Sequence, residues 1–312
     1  MHKAFQQSLL QKNPFPDILG LQGTKEQLKS ALLMGRHMLI MGPPGVGKTT
    51  LAKNVAKLLP VVAGKKPEEC FVRVQGSPDL TVEDLLGDID PIKALQFGPT
   101  SKEAFTPGKI FKADGGILFF DELNRCPEKV QNALLQVLEE GKATIGSYLV
   151  DIPTKFIFIG TMNPEETAAT EKLSDVLMDR FDIVHMSYPD TVDIEREIVL
   201  THGEKLDVTF PPALLIAAIA FVRELREHKD VQKKPSVRAS LGLYERAQAN
   251  AKLNGAKNVS SENVSDAIVS VLSHRIELKP SVKYLQTTEE FIAKEYARFV
   301  REHEELTRGG GL

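Results

Sequence analysis

Four short apolar runs bounded by turn residues punctuate the first half of the chain: His37 to Met41, Cys70 to Val74, Ile117 to Phe120 and Phe156 to Ile159. Runs of this length without alternation are the pattern of strands buried on both faces of a parallel sheet. Helical spacing follows the first and third, over Lys48 to Leu59 and Lys129 to Glu139. Strands interleaved with helices predict an α/β layered domain. After about Tyr188 the β-like runs stop and the periodic segments read as helices, near Pro211 to Glu227, Val237 to Leu253 and Glu262 to Ser273. Pro211 and Pro212 suit a first helical turn.

Thr287 and Glu290 stand at capping-box spacing before a last predicted helix from about Thr288 to Leu306, with Ile292, Tyr296, Phe299 and Val300 along one face for core packing. Gly309, Gly310 and Gly311 read as a frayed end. The chain thus divides into a core over 1–188, a helical subdomain over 189–280 and a terminal helix and tail over 281–312. Within the core, 76–112 is irregular, with Pro78, Pro91, Pro99 and Pro107, and is too long for an ordinary α/β connection. It reads as an insertion with a task of its own.

Composition narrows the setting. The 312 residues suffice for a sizeable core, and 39 basic against 42 acidic residues leave a net charge of −3, with no global field to attract duplex phosphates. Cys70 and Cys126 stand far apart with no CxxC spacing, which fits a reducing compartment and gives no zinc site. The apolar stretch Ala213 to Val222 is about half of what a membrane span needs, and the start at Met1 shows no signal pattern, so a cytoplasmic protein is expected.

The most specific chemistry lies in Gly42, Pro43, Pro44, Gly45, Val46, Gly47, Lys48 and Thr49, which spell GxxxxGK[ST] between a predicted strand and a predicted helix. That context defines a phosphate-binding P-loop. The glycines let backbone N–H groups turn toward phosphate oxygens and the helix start adds its positive dipole end. Lys48 reaches the β and γ phosphates, Thr49 offers its hydroxyl to Mg2+, and Thr50 completes the nucleotide-binding set. A second strand, from Ile117, ends in Asp121 and Glu122: the first is placed to hold Mg2+, the second to act as general base on a water. A third ends at Asn163, positioned to hydrogen-bond between that water and the γ phosphate. Arg180, in Leu177 to Phe181, and Arg238, in Pro235 to Arg238, are candidates to stabilise transition-state charge.

In order and spacing, the P-loop, Asp121 with Glu122, Asn163, Arg180 and Arg238 resemble Walker A, Walker B, sensor 1, arginine finger and sensor 2 of AAA+ ATPases. Leu85 to Leu95, Phe105 to Gly108 and Ala113 to Leu118 look like the helix-2 insert and Walker B approach of the magnesium chelatase I subunit and MoxR group, and Asp121 to Leu135 is similar to MoxR proteins in particular. The resemblance runs from about Asn13 to Lys279. It implies an αβα core with a parallel sheet and an all-α lid, ATP and Mg2+ as nucleotide and metal, a homo-oligomeric ring that is a hexamer, and an Arg180 that acts on a neighbour's nucleotide. Ile18 to Gly23 resembles the segment near the adenine, with Leu21 where a glutamine is common.

A MoxR-like role implies an ATP-driven remodeller that matures a protein client with a von Willebrand A domain partner. The motor subunit of a metal chelatase shares nearly all the motifs and stays open beside it. A nucleic-acid translocase is disfavoured: Lys65, Lys66, Lys102, Lys109, Lys112 and Lys142 are scattered over the loops without aromatic residues interleaved. The segment Thr144 to Ile152 reads as a hairpin that, with the insert, resembles ring-lining elements. A non-hydrolysing scaffold is disfavoured by the intact Glu122.

Overall fold

The structure is a computed structural model, and it describes residues 3–59, 70–98, 101–145, 148–153, 155–165 and 170–303. The chain forms two compact units: 1–43 with 47–186, and 44–46 with 187–312.

The first unit opens with α1 (Lys3–Leu9) and α2 (Gln22–Leu33), then β1 (His37–Met41) and α3 (Lys48–Lys57). Next come β2 (Phe71–Gln75), α4 (Val82–Leu86), β3 (Gly87–Ile89), α5 (Pro91–Phe97), β4 (Phe105–Pro107) and α6 (Lys109–Lys112). The remainder is β5 (Ile117–Asp121), α7 (Glu128–Glu140), β6 (Lys142–Ile145), β7 (Tyr148–Pro153), β8 (Ile157–Met162), α8 (Asp175–Met178) and β9 (Phe181–His185). Five strands make one parallel sheet in the order β2-β5-β8-β1-β9.

Both faces of that sheet are dry. Leu39, Leu118, Phe120 and Phe158 point into one core with Val130, Leu134 and Val137 of α7. The alternate positions Met38, Ile40, Ile117, Phe119 and Ile159 are equally buried. Successive side chains of a strand face opposite ways, so burial of both parities requires helices on both sides. This is the expected αβα layering. Gly141, at φ 62°, ends α7 in the left-handed conformation that favours glycine.

The irregular 76–112 stretch resolves into small elements. Thr81 and Asp84 form a capping box at α4, Asp90 caps α5 with Pro91 in its first turn, and β3 pairs antiparallel with β4. α5 leaves Ile92, Leu95 and Phe97 exposed. Lys109 and Lys112 belong to α6, and β6 pairs antiparallel with β7, while Gly146 and Ser147 of the expected hairpin lie outside the described residues. Lys65, Lys66 and Gly309 to Gly311 lie outside the described residues, as does the side chain of Lys102.

The second unit holds α9 (Val192–His202), α10 (Pro212–Glu227), β10 (Val231–Lys233), α11 (Val237–Leu253), α12 (Ser261–Leu272), β11 (Glu277–Leu278), α13 (Pro280–Lys283) and α14 (Thr288–Glu302). Its core runs through Leu214, Phe221, Leu225, Leu243, Ala247, Val264 and Ile268 to Phe291, Ile292, Tyr296 and Phe299 of α14. Thr287 and Glu290 form the anticipated capping box. Besides its helices this unit carries one short antiparallel ribbon, β10 with β11. No helix among the described residues is long and apolar enough to cross a membrane.

Candidate functional site: a phosphate loop beside two strand-end carboxylates

The strand order puts β1, β5 and β8 side by side. Because the strands are parallel, the residues that follow them emerge at one end of the sheet. Gly42, Asp121 with Glu122, and Asn163 are therefore neighbours by construction, and the Gly42 N–H donates to the Met162 carbonyl at 3.2 Å.

Gly45 and Gly47 have φ of 73° and 99°, so the loop needs glycine at both. Gly47 is the N-cap of α3 and makes no side-chain cap hydrogen bond, having no side chain to do so. Lys48 folds back on the loop and donates from Nζ to the carbonyls of Gly42 at 2.7 Å and Pro43 at 2.9 Å. Thr49 and Thr50 follow in the first turn of α3, half-buried. Pro44 to Val46 group with the second unit, where a Cβ on Gly45 would stand 2.6 Å from Ser236 Oγ and 3.3 Å from Arg238 Cγ.

The two carboxylates are held differently. Asp121 accepts at Oδ1 from Thr161 Oγ1 (2.7 Å) and at Oδ2 from Arg73 (2.6 Å). Glu122 has φ 57°, ψ 54°, a left-handed conformation uncommon for a non-glycine residue, and strain of this kind gathers at functional sites. Its N–H donates to Thr161 Oγ1 (2.9 Å), and its Oε2 accepts from Gln75 Nε2 (2.9 Å) and lies 3.3 Å from Arg125 Nε. Gly76 makes room for this: a Cβ there would lie 2.1 Å from the Glu122 carbonyl oxygen.

Thr161, Arg73, Gln75 and Gly76 escaped the sequence reading. Thr161 is fully buried. A hydroxyl inside an apolar strand, two residues before Asn163, was its only signal. Arg73 lies within the run expected as a strand at Cys70 to Val74 and Gln75 directly after it, on β2, where nothing in their own neighbours marks a role. Asn163 Oδ1 accepts from the Glu165 N–H at 3.3 Å, a local turn contact at the strand end.

Arg180 is not part of this cluster. It precedes β9, whose Phe181 is level with His37 at the start of β1, whereas the phosphate loop follows the other end of β1. Five residues of strand separate them by about 16 Å, and the guanidinium engages Glu139 at the end of α7 instead. Arg238 is exposed in the first turn of α11.

Residues 37–183 match the family described as "ATPase family associated with various cellular activities (AAA)", and residues 223–295 match the AAA lid domain. The chaperone MoxR1 of Mycobacterium tuberculosis is 30% identical over 295 residues, covering 84% of this chain and 73% of that protein. The magnesium-chelatase 38 kDa subunit of Cereibacter sphaeroides is 25% identical over 326 residues, covering 86% and 94%. The chain belongs to the AAA+ ATPases, in the group that includes MoxR chaperones and magnesium-chelatase subunits. Among solved structures, the RuvB Holliday junction branch migration motor of Thermotoga maritima shares the fold, with a TM-score of 0.52 and 20% identity over 85% of this chain and 74% of that one.

Proposed function

We propose that this protein hydrolyses ATP as a subunit of a homo-oligomeric ring, a hexamer, and uses the energy to remodel or mature a protein client with a von Willebrand A domain partner. The observation that carries the catalytic part is the convergence of the P-loop, Asp121, Glu122 and Asn163 on one end of a parallel sheet.

The donor set fits a magnesium nucleotide: an uncapped helix start for phosphate oxygens, a hydroxyl on Thr49, and an Asp121 carboxylate fixed at the strand end by Thr161. Bound there by Thr49 and Asp121, Mg2+ supplies neutralisation of phosphate charge. The amides of 45–50 hold the phosphate chain, and Lys48 exchanges its two loop carbonyls for phosphate oxygens. Glu122 takes the proton of the attacking water and Asn163 orients that water. Arg180 lies too far along the sheet to serve its own loop, which supports action on a neighbouring subunit's γ phosphate. Arg238 is the second arginine assigned to stabilise transition-state charge.

The similarity to MoxR1 supports the client reading. Exposed Ile92, Leu95 and Phe97 on the insert are suited to a protein surface more than to a phosphodiester backbone. The alternative, the motor of a metal chelatase, is supported by similarity over nearly the whole of the chelatase subunit. A pull-down with ATP-loaded Glu122→Gln protein separates them. Recovery of a von Willebrand A protein with a client supports remodelling, co-purification with other subunits of a metal chelatase supports the chelatase, and recovery of single-stranded DNA contradicts both.

A further inference from the structure

The second unit buries a charge that ATP chemistry does not use. Glu195 on α9 is fully buried, and a carboxylate removed from water is costly unless it is paired and hydrogen-bonded. Here it is both. Arg226 of α10, 3% exposed, donates in fork geometry, Nη1 to Oε2 and Nη2 to Oε1, each at 2.6 Å. Ser240 Oγ donates to Oε1 at 2.5 Å and Arg223 Nη1 to Oε2 at 3.3 Å.

The third donor of Arg226 shows what the pair holds. Its Nε donates to the Pro235 carbonyl at 2.8 Å. Pro235 and Ser240 bracket the start of α11, and Arg238 lies between them. The segment is thus fixed at one end by Arg226 and at the other by Glu195. The helix N-cap, Ser236, contributes no side-chain cap of its own. The same two arginines reach the beginning of the unit: the Tyr188 ring lies 4.7 Å from the Arg226 guanidinium carbon, and Arg223 donates to the carbonyls of Pro189 (2.7 Å) and Asp190 (2.9 Å).

A buried ion pair is a poor way to gain stability, since apolar side chains of the same volume do as well or better. What a bidentate pair adds is a fixed orientation. We propose that Glu195 and Arg226 form a positioning clamp that sets the backbone of Arg238 and ties it to the Tyr188–Asp190 segment, so that Arg238 meets nucleotide at one defined angle. This rests on the reading of Arg238 as a nucleotide-contacting residue. Glu195 and Arg226 are both buried, and both act through Arg238.

The test compares wild type, Arg226→Lys, Glu195→Gln, Arg238→Ala and the Arg226→Lys/Arg238→Ala double variant, in the full chain. Steady-state ATP hydrolysis, the thermal midpoint and amide hydrogen exchange over 236–241 are read for each. Arg226→Lys keeps the charge but loses the fork and the Pro235 bond. It should lower kcat about tenfold with KM within about twofold, and raise exchange locally at 238–241. In the Arg238→Ala background the same change should cost almost nothing further. Full additivity of the two substitutions, or kcat per folded protein equal to wild type in both clamp variants, overturns the proposal. Unchanged exchange at 238–241 overturns it as well. If exchange rises locally but Arg238→Ala itself turns over normally, the reading of Arg238 fails and the clamp has no catalytic part.

Discussion

Gln75 Nε2 donates a 2.9 Å hydrogen bond to Oε2 of Glu122, from the strand next to the one that ends in the proposed base. The carboxylate is therefore engaged by a neighbour and by Arg125 before any water is presented to it. A hydrogen bond to a charged acceptor contributes about 1.5–3 kcal/mol. Part of that restraint must be given up for Glu122 to accept a proton. Gln75→Ala should raise basal ATP turnover, by up to about tenfold, with ATP affinity unchanged. A fall in steady-state turnover would mean that the bond aims the base instead of holding it back.

Arg180 and its own phosphate loop lie at opposite ends of the β1–β9 pair. Arg180→Ala subunits should bind ATP normally yet turn over at least about a thousandfold more slowly, the lower end of what an arginine finger contributes. Mixed with Lys48→Ala subunits, which fail at the other half of the site, they should regain part of the activity, because some interfaces then pair an intact loop with an intact arginine. Absence of rescue at every mixing ratio would count against action between subunits.

His37 Nδ1 accepts the Phe158 N–H at 3.1 Å, so the fold requires a neutral ring there. Burial first, and the Arg36 guanidinium second, push its pKa down to about 4. In the unfolded chain the ring titrates near 6.5. The folded value is the lower one, so the stability at stake is fully present above about pH 6.5 and is lost as the pH falls toward 4, amounting to roughly 3 kcal/mol. Urea unfolding of the first unit at pH 7 and pH 4.5 should show a steeper loss in wild type than in His37→Asn. Parallel slopes would remove His37 from the account.

Phe158 is fully buried, stacked on Phe181 at 5.1 Å and tilted against Phe120 at 6.1 Å. Phe158→Ala empties the centre of the layer beneath the site and should destabilise the first unit by about 3–5 kcal/mol, read as a lower urea midpoint. A change below about 1 kcal/mol would show that this core collapses freely around the gap.

Much of this architecture is written locally. GxxxxGK[ST] demands a strand before it and a helix after it, and an apolar run that ends in Asp-Glu or in Thr-Met-Asn declares a buried strand with chemistry at its tip. The expected run at 156–159 is β8, and the expected helix at 237–253 is α11 as drawn from spacing alone. What escaped depends on partners distant in sequence. β9 has Asp182 and His185 among its five residues, and only its pairing with β1 identifies it as a strand. Helix α9 is not legible from spacing because its periodic face is broken by Glu195, whose burial makes sense only once Arg226 and Ser240 are brought to it. Thr161, Arg73 and Gln75 likewise acquire meaning through β5, not through their own neighbours. The β10–β11 ribbon joins segments too short for any alternation to register.

The assignment of Glu122 as the base in an ATP-hydrolysing site is tested most directly by comparing wild type with Glu122→Gln, measuring ATP affinity and phosphate release on the same preparations with Mg2+ present. Loss of a general base costs about 10²- to 10⁴-fold. ATP affinity should stay within a few fold of wild type while phosphate release slows by at least about a hundredfold. Phosphate release by Glu122→Gln at the wild-type rate would contradict the assignment.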